Sequence, residues 1–167
     1  MFTPRSKKVA FMEVDNGTFH RMKGFTALTT NRNPKEYTRQ YVDENYETTD
    51  VVAISTSMEF TFDQMQNDPV HEKLIDIIDG EKIGDDAIVS IVVVDLTRQG
   101  SATGSFKAVK RDFVVVPESE GDNIDAYSYS GTFRAKGERI EGEATSTDNW
   151  QTCTFIPVEE TGGGVEG

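Results

Sequence analysis

Apolar and polar positions alternate with a period of two through much of this chain. Around residue 60, Met58, Phe60 and Phe62 take turns with Glu59, Thr61 and Asp63, the mark of a strand with one buried and one solvated face. An opening hairpin is read from Val9-Ala-Phe-Met-Glu-Val14 and Phe19-His-Arg-Met22, which flank Asp15-Asn16-Gly17-Thr18; Asn-Gly suits the positive φ angles of tight hairpin turns. Phe25-Thr-Ala-Leu-Thr-Thr30 continues as a strand, and after a polar stretch the chain returns through a strand over residues 51–62. Four more strands are predicted at 86–97, 105–116, 126–136 and 139–157, the last broken near Asp148-Asn149. Glycine-containing loops at 98–104 and 117–125 separate the first three, and Ala135-Lys-Gly-Glu138 reads as a tight hairpin between the later ones.

A single segment follows a helical period. Val70, Leu74, Ile77 and Ile78 fall at i, i+4, i+7 and i+8, one face that must pack on something, as on a sheet. Asp68 is placed to cap the free N–H groups, Pro69 suits the first helical position, and Gly80 supplies the stop. The spacing predicts a helix over 69–79, with His71 and Glu72 on or near its polar side. Strand after strand around one helix, without βα alternation, predicts a mainly β fold: an antiparallel β-sandwich or partial barrel with one flanking α-helix.

Residues 33–49 break the pattern. These seventeen residues hold two cations, four carboxylates and three of the chain's five tyrosines, with neither Gly nor Ser. Connections beyond about 12–15 residues are uncommon in compact domains and are often functional. Tyrosines bury large area at low entropic cost when a partner arrives. The segment is therefore read as an arm for protein–protein contact, and the protein as one that works by assembling.

Length bounds the rest. A chain of 167 residues with 36% hydrophobic content fits one domain, taken as 1–158 and including the arm, followed by a flexible tail at 159–167 that has no side chains able to anchor a core. The most apolar run, residues 87–94, is strand-length and short of the ~20 residues of a membrane helix. No secretory signal peptide is legible and Cys153 is the sole cysteine, so cytoplasmic synthesis and no membrane contact are expected. Net charge is −12 with a pI near 4.6, which argues against tight nucleic-acid binding, because Lys and Arg supply most of that affinity. The charge is also uneven. Residues 1–40 carry eight cations against three anions, net +5, leaving −17 on the remainder, an asymmetry suited to neutralisation across a sheet or to head-to-tail contact between copies.

A search for chemistry yields no catalytic, metal or cofactor assignment. His20, His71 and Cys153 form no nucleophile or zinc signature, and Cys153 reads as a small core hydrophobe. Neither Thr103-Gly-Ser105 nor Gly162-Gly-Gly164 sits in a strand–glycine-loop–helix unit. Glu118, Glu120, Asp122 and Asp125 cluster without EF-hand spacing and read as a solvated loop rather than a Ca²⁺ site. Trp150 and Phe155 could offer a sugar platform but read as core aromatics, and packing is the default for Tyr127 and Tyr129.

The order of segments resembles the major tail tube proteins of long-tailed, non-contractile bacteriophages, from about Lys7 to Val158. The resemblance rests on Lys8-Val-Ala-Phe-Met-Glu13, Met22-Lys-Gly-Phe-Thr26, Asn33-Pro-Lys-Glu-Tyr37 leading to Arg39-Gln-Tyr-Val-Asp-Glu44, Phe62-Asp63, Val93-Val-Asp95, Lys110-Arg-Asp-Phe113, Tyr129-Ser-Gly-Thr-Phe133 and Thr147-Asp-Asn-Trp-Gln-Thr152. It implies a non-enzymatic structural protein, made in the host bacterial cytoplasm and residing in the virion tail, with itself as main partner. Hexameric rings would stack head-to-tail into a tube through which DNA passes without tight binding, alongside tape measure, tail tip and terminator proteins. In that family a long loop between two early strands contacts the neighbouring ring. Its position here makes Lys35, Glu36, Tyr37 and Arg39, with Tyr41, Asp43 and Glu44, the candidate contact residues. A small-ligand or carbohydrate-binding β-barrel module and, more distantly, a carboxylate-based hydrolase are the competing readings.

Overall fold

The computed structural model describes residues 1–121 and 124–158. The expected tail at 159–167 and Asp122 of the acidic loop lie outside the described residues. The chain runs β1 (Lys8–Asp15), β2 (Thr18–Arg21), β3 (Phe25–Asn31), β4 (Pro34–Arg39), β5 (Thr48–Ile54), β6 (Ser57–Asp63), α1 (Pro69–Asp79), β7 (Ile88–Gln99), β8 (Phe106–Glu120), β9 (Ser128–Ala135), β10 (Ile140–Thr145) and β11 (Thr152–Pro157). All ladders are antiparallel. The main sheet is ordered β10-β11-β2-β1-β7-β8-β9-β6-β3, and β10 also pairs with β8, while β4 and β5 form a separate two-stranded ribbon. The fold is the mainly β sandwich with a partial barrel and a flanking helix that the periodicities predict.

The strand β8 organises both halves. Its first part pairs with β10, Ala108 opposite Gly142, and its second with β9, Val115 opposite Phe133. Because β10 returns to β8, the strands β10, β11, β2, β1, β7 and the first part of β8 close into a small barrel. Val9, Phe11, Phe19, Val92, Val94, Ala108, Ala144 and Cys153 fill it, and burial pushes the Cys153 thiol up to about 12. Side chains of the opposite parity on β1 and β7, such as Met12, Val89 and Ile91, face a second core. There they meet Met58, Phe60, Phe62 and Phe133 and the helix face Val70, Leu74, Ile77 and Ile78. Phe60 stacks on Phe133 at 4.3 Å between ring centroids. Gly131 makes this possible: a Cβ there would stand 2.5 Å from the Val116 carbonyl and 2.9 Å from the Phe60 ring.

The segment 135–138 is not a hairpin turn. Strands β9 and β10 follow one another along the same edge of β8, Ala135 opposite Phe113 and Ile140 opposite Lys110. Residues 136–139 are therefore an interruption in one long strand, pinned by Lys136 N–H donating to Asp112 O at 2.9 Å and by Arg111 Nε donating to Gly137 O at 2.7 Å. A Lys-Gly pair suits a break in a ladder as well as a turn, so local composition does not distinguish the two.

The helix has the predicted bounds. Asp68 Oδ1 accepts from the backbone N–H groups of Val70 and His71. Two details differ. Gly80 keeps a right-handed φ of −78°, and the left-handed turn is made by Glu81 at φ +50°. His71 is fully buried, not on the polar side: its ring lies 4.5 Å from that of Phe62. Nδ1 accepts from Met65 N–H and Nε2–H donates to Lys23 O, so both nitrogens are satisfied and the imidazole works as a packed cross-brace.

Candidate assembly surface

The arm is an ordered β-ribbon rather than an irregular loop, and it extends further than the polar stretch suggests. Residues 51–62, expected as one strand, are two: β5 belongs to the ribbon, β6 to the core, and Ser55-Thr56 divides them. Asn33 turns the corner at φ +46°, a left-handed conformation that Asn tolerates better than most residues. Its Nδ2 donates to Ser55 O at 2.9 Å and Ser57 Oγ at 3.1 Å, while Ser55 N–H donates to Arg32 O at 3.0 Å. These bonds clamp the root.

The register sorts the candidate residues. Tyr37 opposes Asp50 and Arg39 opposes Thr48 on one face, whereas Glu36 opposes Val51 and Thr38 opposes Thr49 on the other. Arg39 lies over two rings, 5.3 Å from the Tyr37 centroid and 5.8 Å from that of Tyr41. Its NH1 donates to Asp50 Oδ2 at 2.5 Å and its Nε to Tyr41 Oη at 3.2 Å. The Asp50 hydrogen bond, followed by that of Tyr41, raises the guanidinium pKa above its ordinary value. A cation held between aromatic faces is pre-organised for contact. Lys35, opposite Ala53, and Glu36 stand apart from this group. Asp43 and Glu44 lie in the connection between the strands, where Glu44 N–H donates to Tyr41 O and Glu44 O accepts from Gln40 Nε2.

The ribbon also carries apolar residues that the arm at 33–49 left out. Val51, Val52 and Ile54 keep 55–60% of their surface exposed, and Tyr37, Tyr41, Val42 and Tyr46 are exposed with them. Exposed apolar side chains gathered on one two-stranded ribbon, on both its faces, are a candidate interaction surface. The available signal was that the run Val51-Val52-Ala53-Ile54 lacks the alternation of residues 58–63.

A second surface is the outer face of β3-β6-β9-β8. Transverse rows read Ala27–Thr61–Ser130–Ser119 and Thr29–Glu59–Thr132–Val116. Ser119 and Ser130 hydroxyls bond at 2.7 Å, Thr132 Oγ1 donates to Glu118 at 2.6 Å, and Asn31 Nδ2 donates to Glu59 at 3.3 Å. Hydroxyls, carboxylates and short side chains make up these rows, and the exposed Arg134, opposite Ser57 and Val114, adds a cation in the next. Beyond it, β3 is an edge strand of the sheet.

Other chemical candidates disperse into structural roles. Glu118 accepts from Thr132 and Glu120 from Tyr127 Oη, Trp150 packs on Phe11 and Phe106, and Tyr129 is buried with its phenol pushed up to about 12, by desolvation first and Asp79 second. Among the described residues no group of three or more His, Cys, Asp or Glu is placed to hold a metal ion. No helix among them is long and apolar enough to cross a membrane.

No family model and no curated protein matches this chain. Solved structures do. A chain from the tail of an empty gene transfer agent (GTA) particle, obtained by helical refinement with C6 symmetry, superposes with a TM-score of 0.60 at 11% identity, covering 83% of this chain and 97% of that one. A chain from the virion of a native gene transfer agent particle superposes with a TM-score of 0.55 at 12% identity, again covering 83% and 97%. At such identities the likeness is one of fold, and it spans nearly the whole of those chains.

Proposed function

We propose that this protein is a structural subunit of a phage-type tail, one that assembles into hexameric rings stacked head-to-tail as a tube for DNA passage. The observation that carries this reading is the ribbon β4–β5, an ordered element with exposed valines, isoleucine and tyrosines that forms no ladder with another strand of its own chain among the described residues. The shared fold with chains of gene transfer agent tail particles supports the same role. Tyr37, Arg39 and Tyr41 are the anchors of the inter-ring contact, with Lys35, Glu36, Asp43 and Glu44 around them. Residues 1–158 act as one domain with this arm. The outer face of β3-β6-β9-β8 is the wall turned to DNA: Glu59 and Glu118 repel phosphate and outnumber Arg134 on that face, and the short hydroxyl side chains between them leave little for a sliding duplex to grip. Other tail proteins, such as tape measure, tip and terminator, are partners on this reading. The small-ligand barrel reading is weaker, because the barrel interior is filled by its own side chains.

Negative-stain electron microscopy of concentrated protein tests the role. Rings or tubes are expected, and the tubes should vanish when residues 35–53 are replaced by a short Gly-Ser turn while a cooperative unfolding transition persists. A protein that stays monomeric at high concentration, or an armless variant that still builds tubes, overturns the reading.

A further inference from the structure

Where β9 gives way to β10 along β8, the sandwich opens into a groove of about 800 Å³. That is the scale of a site for a few side chains rather than for a whole element. Met58, Ile91, Val93, Val109 and Phe113 contribute apolar lining. Lys8, Arg32, Arg98, Lys107, Arg111 and Arg139 supply six cations against Asp95, Glu141 and Glu143, net +3 in a chain of net −12. Asp95 accepts from the Thr97 backbone N–H and hydroxyl and pairs with Arg98 at 3.6 Å, Glu143 accepts from Ser101 and Ser105, and Glu141 pairs with Arg139 at 3.9 Å, which leaves Lys8, Arg32, Lys107 and Arg111 as the cations outside those pairs. The groove is thus a basic, partly apolar site on an acidic protein.

Its mouth is the root of the arm. Thr30, Arg32 and Thr56 line the groove, and the ribbon departs between Arg32 and Ser55. The far end of the ribbon has the complementary chemistry: Asp43, Glu44 and Glu47 lie within one short connection with Tyr41, Val42 and Tyr46, all exposed. Six paired residues at about 3.3 Å each hold tip and root roughly 20 Å apart, and the ribbon cannot fold back on its own root without breaking its ladder. We propose that the acidic, aromatic tip of one copy's arm seats in the basic groove at the arm root of the next copy. The proposal rests on the arm being an inter-subunit contact and adds the receiving surface. Such a joint is heterologous, each copy using two different surfaces, so it propagates in one direction instead of closing as a dimer. Opposite charges at its two halves favour the correct docking and reject tip-to-tip encounters.

Two full-length variants test it. Arg32→Glu/Arg139→Glu keeps the arm and reverses the groove; the armless chain, with residues 35–53 replaced, keeps the groove. In sedimentation velocity each alone should lose arm-dependent association and sediment no further than a single ring, and their mixture should recover one joint, pairing the two variants in 1:1 stoichiometry with no longer stack. Adding Asp43→Lys/Glu44→Lys to the groove-reversed chain should restore self-association. A cooperative unfolding transition certifies each variant, with Arg32→Glu alone as the milder replacement if the double variant does not fold. A mixture that associates no further than either variant alone, or a groove-reversed chain that assembles like the wild type, overturns the proposal while leaving the arm reading intact. A wild type that forms no rings beside a mixture that does pair overturns ring stacking and leaves the joint. Groove-dependent retardation of duplex DNA at near-physiological salt, or association gained by a chain cut after Val158 alone, assigns the groove to another occupant and also overturns the proposal.

Discussion

Strands β5 and β6 are separated by two residues, and both are rich in apolar side chains, yet they have opposite fates. Phe60 and Phe62 of β6 are almost completely buried, whereas Val51, Val52 and Ile54 of β5 are more than half exposed. The difference lies in neighbours. β6 runs between β3 and β9 and contributes to the core beside α1; β5 has β4 alone. A two-stranded ribbon is marginal by itself, so this one depends on the Asn33 clamp, the Thr38–Thr49 hydroxyl pair at 3.1 Å and the Arg39 cluster. Hydrophobic sequence therefore specifies that surface will be buried without specifying whose surface does the burying.

The sharpest break between the two strands should come from truncation. Phe60→Ala is expected to destabilise the fold by about 3–5 kcal/mol, read from denaturant unfolding, whereas Val52→Ser should change stability by no more than about 0.5 kcal/mol and reduce assembly. A large stability loss from Val52→Ser would mean that β5 packs within its own chain. Next in size is Gly131→Ala, expected to lose about 1–3 kcal/mol because the added methyl has no room under Phe60; a neutral result would show that the aromatic stack can shift. On the arm, Tyr37→Ala should leave the thermal midpoint in place and weaken association by about tenfold or more, measured from the concentration dependence of sedimentation. The smallest effect is at Asp148, in the barrel turn between β10 and β11. Hydrogen bonds from the Thr152 hydroxyl and backbone N–H hold its carboxyl down to about 2, below the usual 3.8. A carboxylate with a depressed folded pKa stabilises the native state above its unfolded pKa, and that contribution fades as pH falls through about 2. Asp148→Asn should thus lower the unfolding midpoint at pH 5 and matter less near pH 2. An equal drop at both values would make the effect steric.

Much of the body was legible because its local signals and its tertiary contacts agree. The helix over 69–79, the Asn16-Gly17 hairpin and the alternation at 58–63 all follow from side-chain period and turn chemistry, and each is where those rules place it. Illegible features depend on partners distant in sequence. Only the ladder to β8 tells that 135–138 interrupts a strand instead of turning it, and only the approach of Lys23 and Met65 explains a buried His71. The arm was legible as an exposed, protruding segment from its length and polarity. Its β-ribbon form and its valines were not, since Val51 and its neighbours look like core until the strand that would cover them is found elsewhere. The basic groove gathers residues from β1, β3, β7, β8 and β10, and no window of sequence contains it.

The pairing of β11 with β2, Cys153 opposite Phe19, has a consequence for biosynthesis. The barrel closes only when β2 meets β11, the last of the described strands, so it stays open until β11 has been made. Until β11 arrives, β2 and β10 each present an unpaired edge able to capture a strand from another nascent chain. The ribbon, by contrast, is local in sequence and is free to form early. The exposed ribbon can thus form before the barrel is closed, and polysomes crowded with growing copies are where mispairing should concentrate.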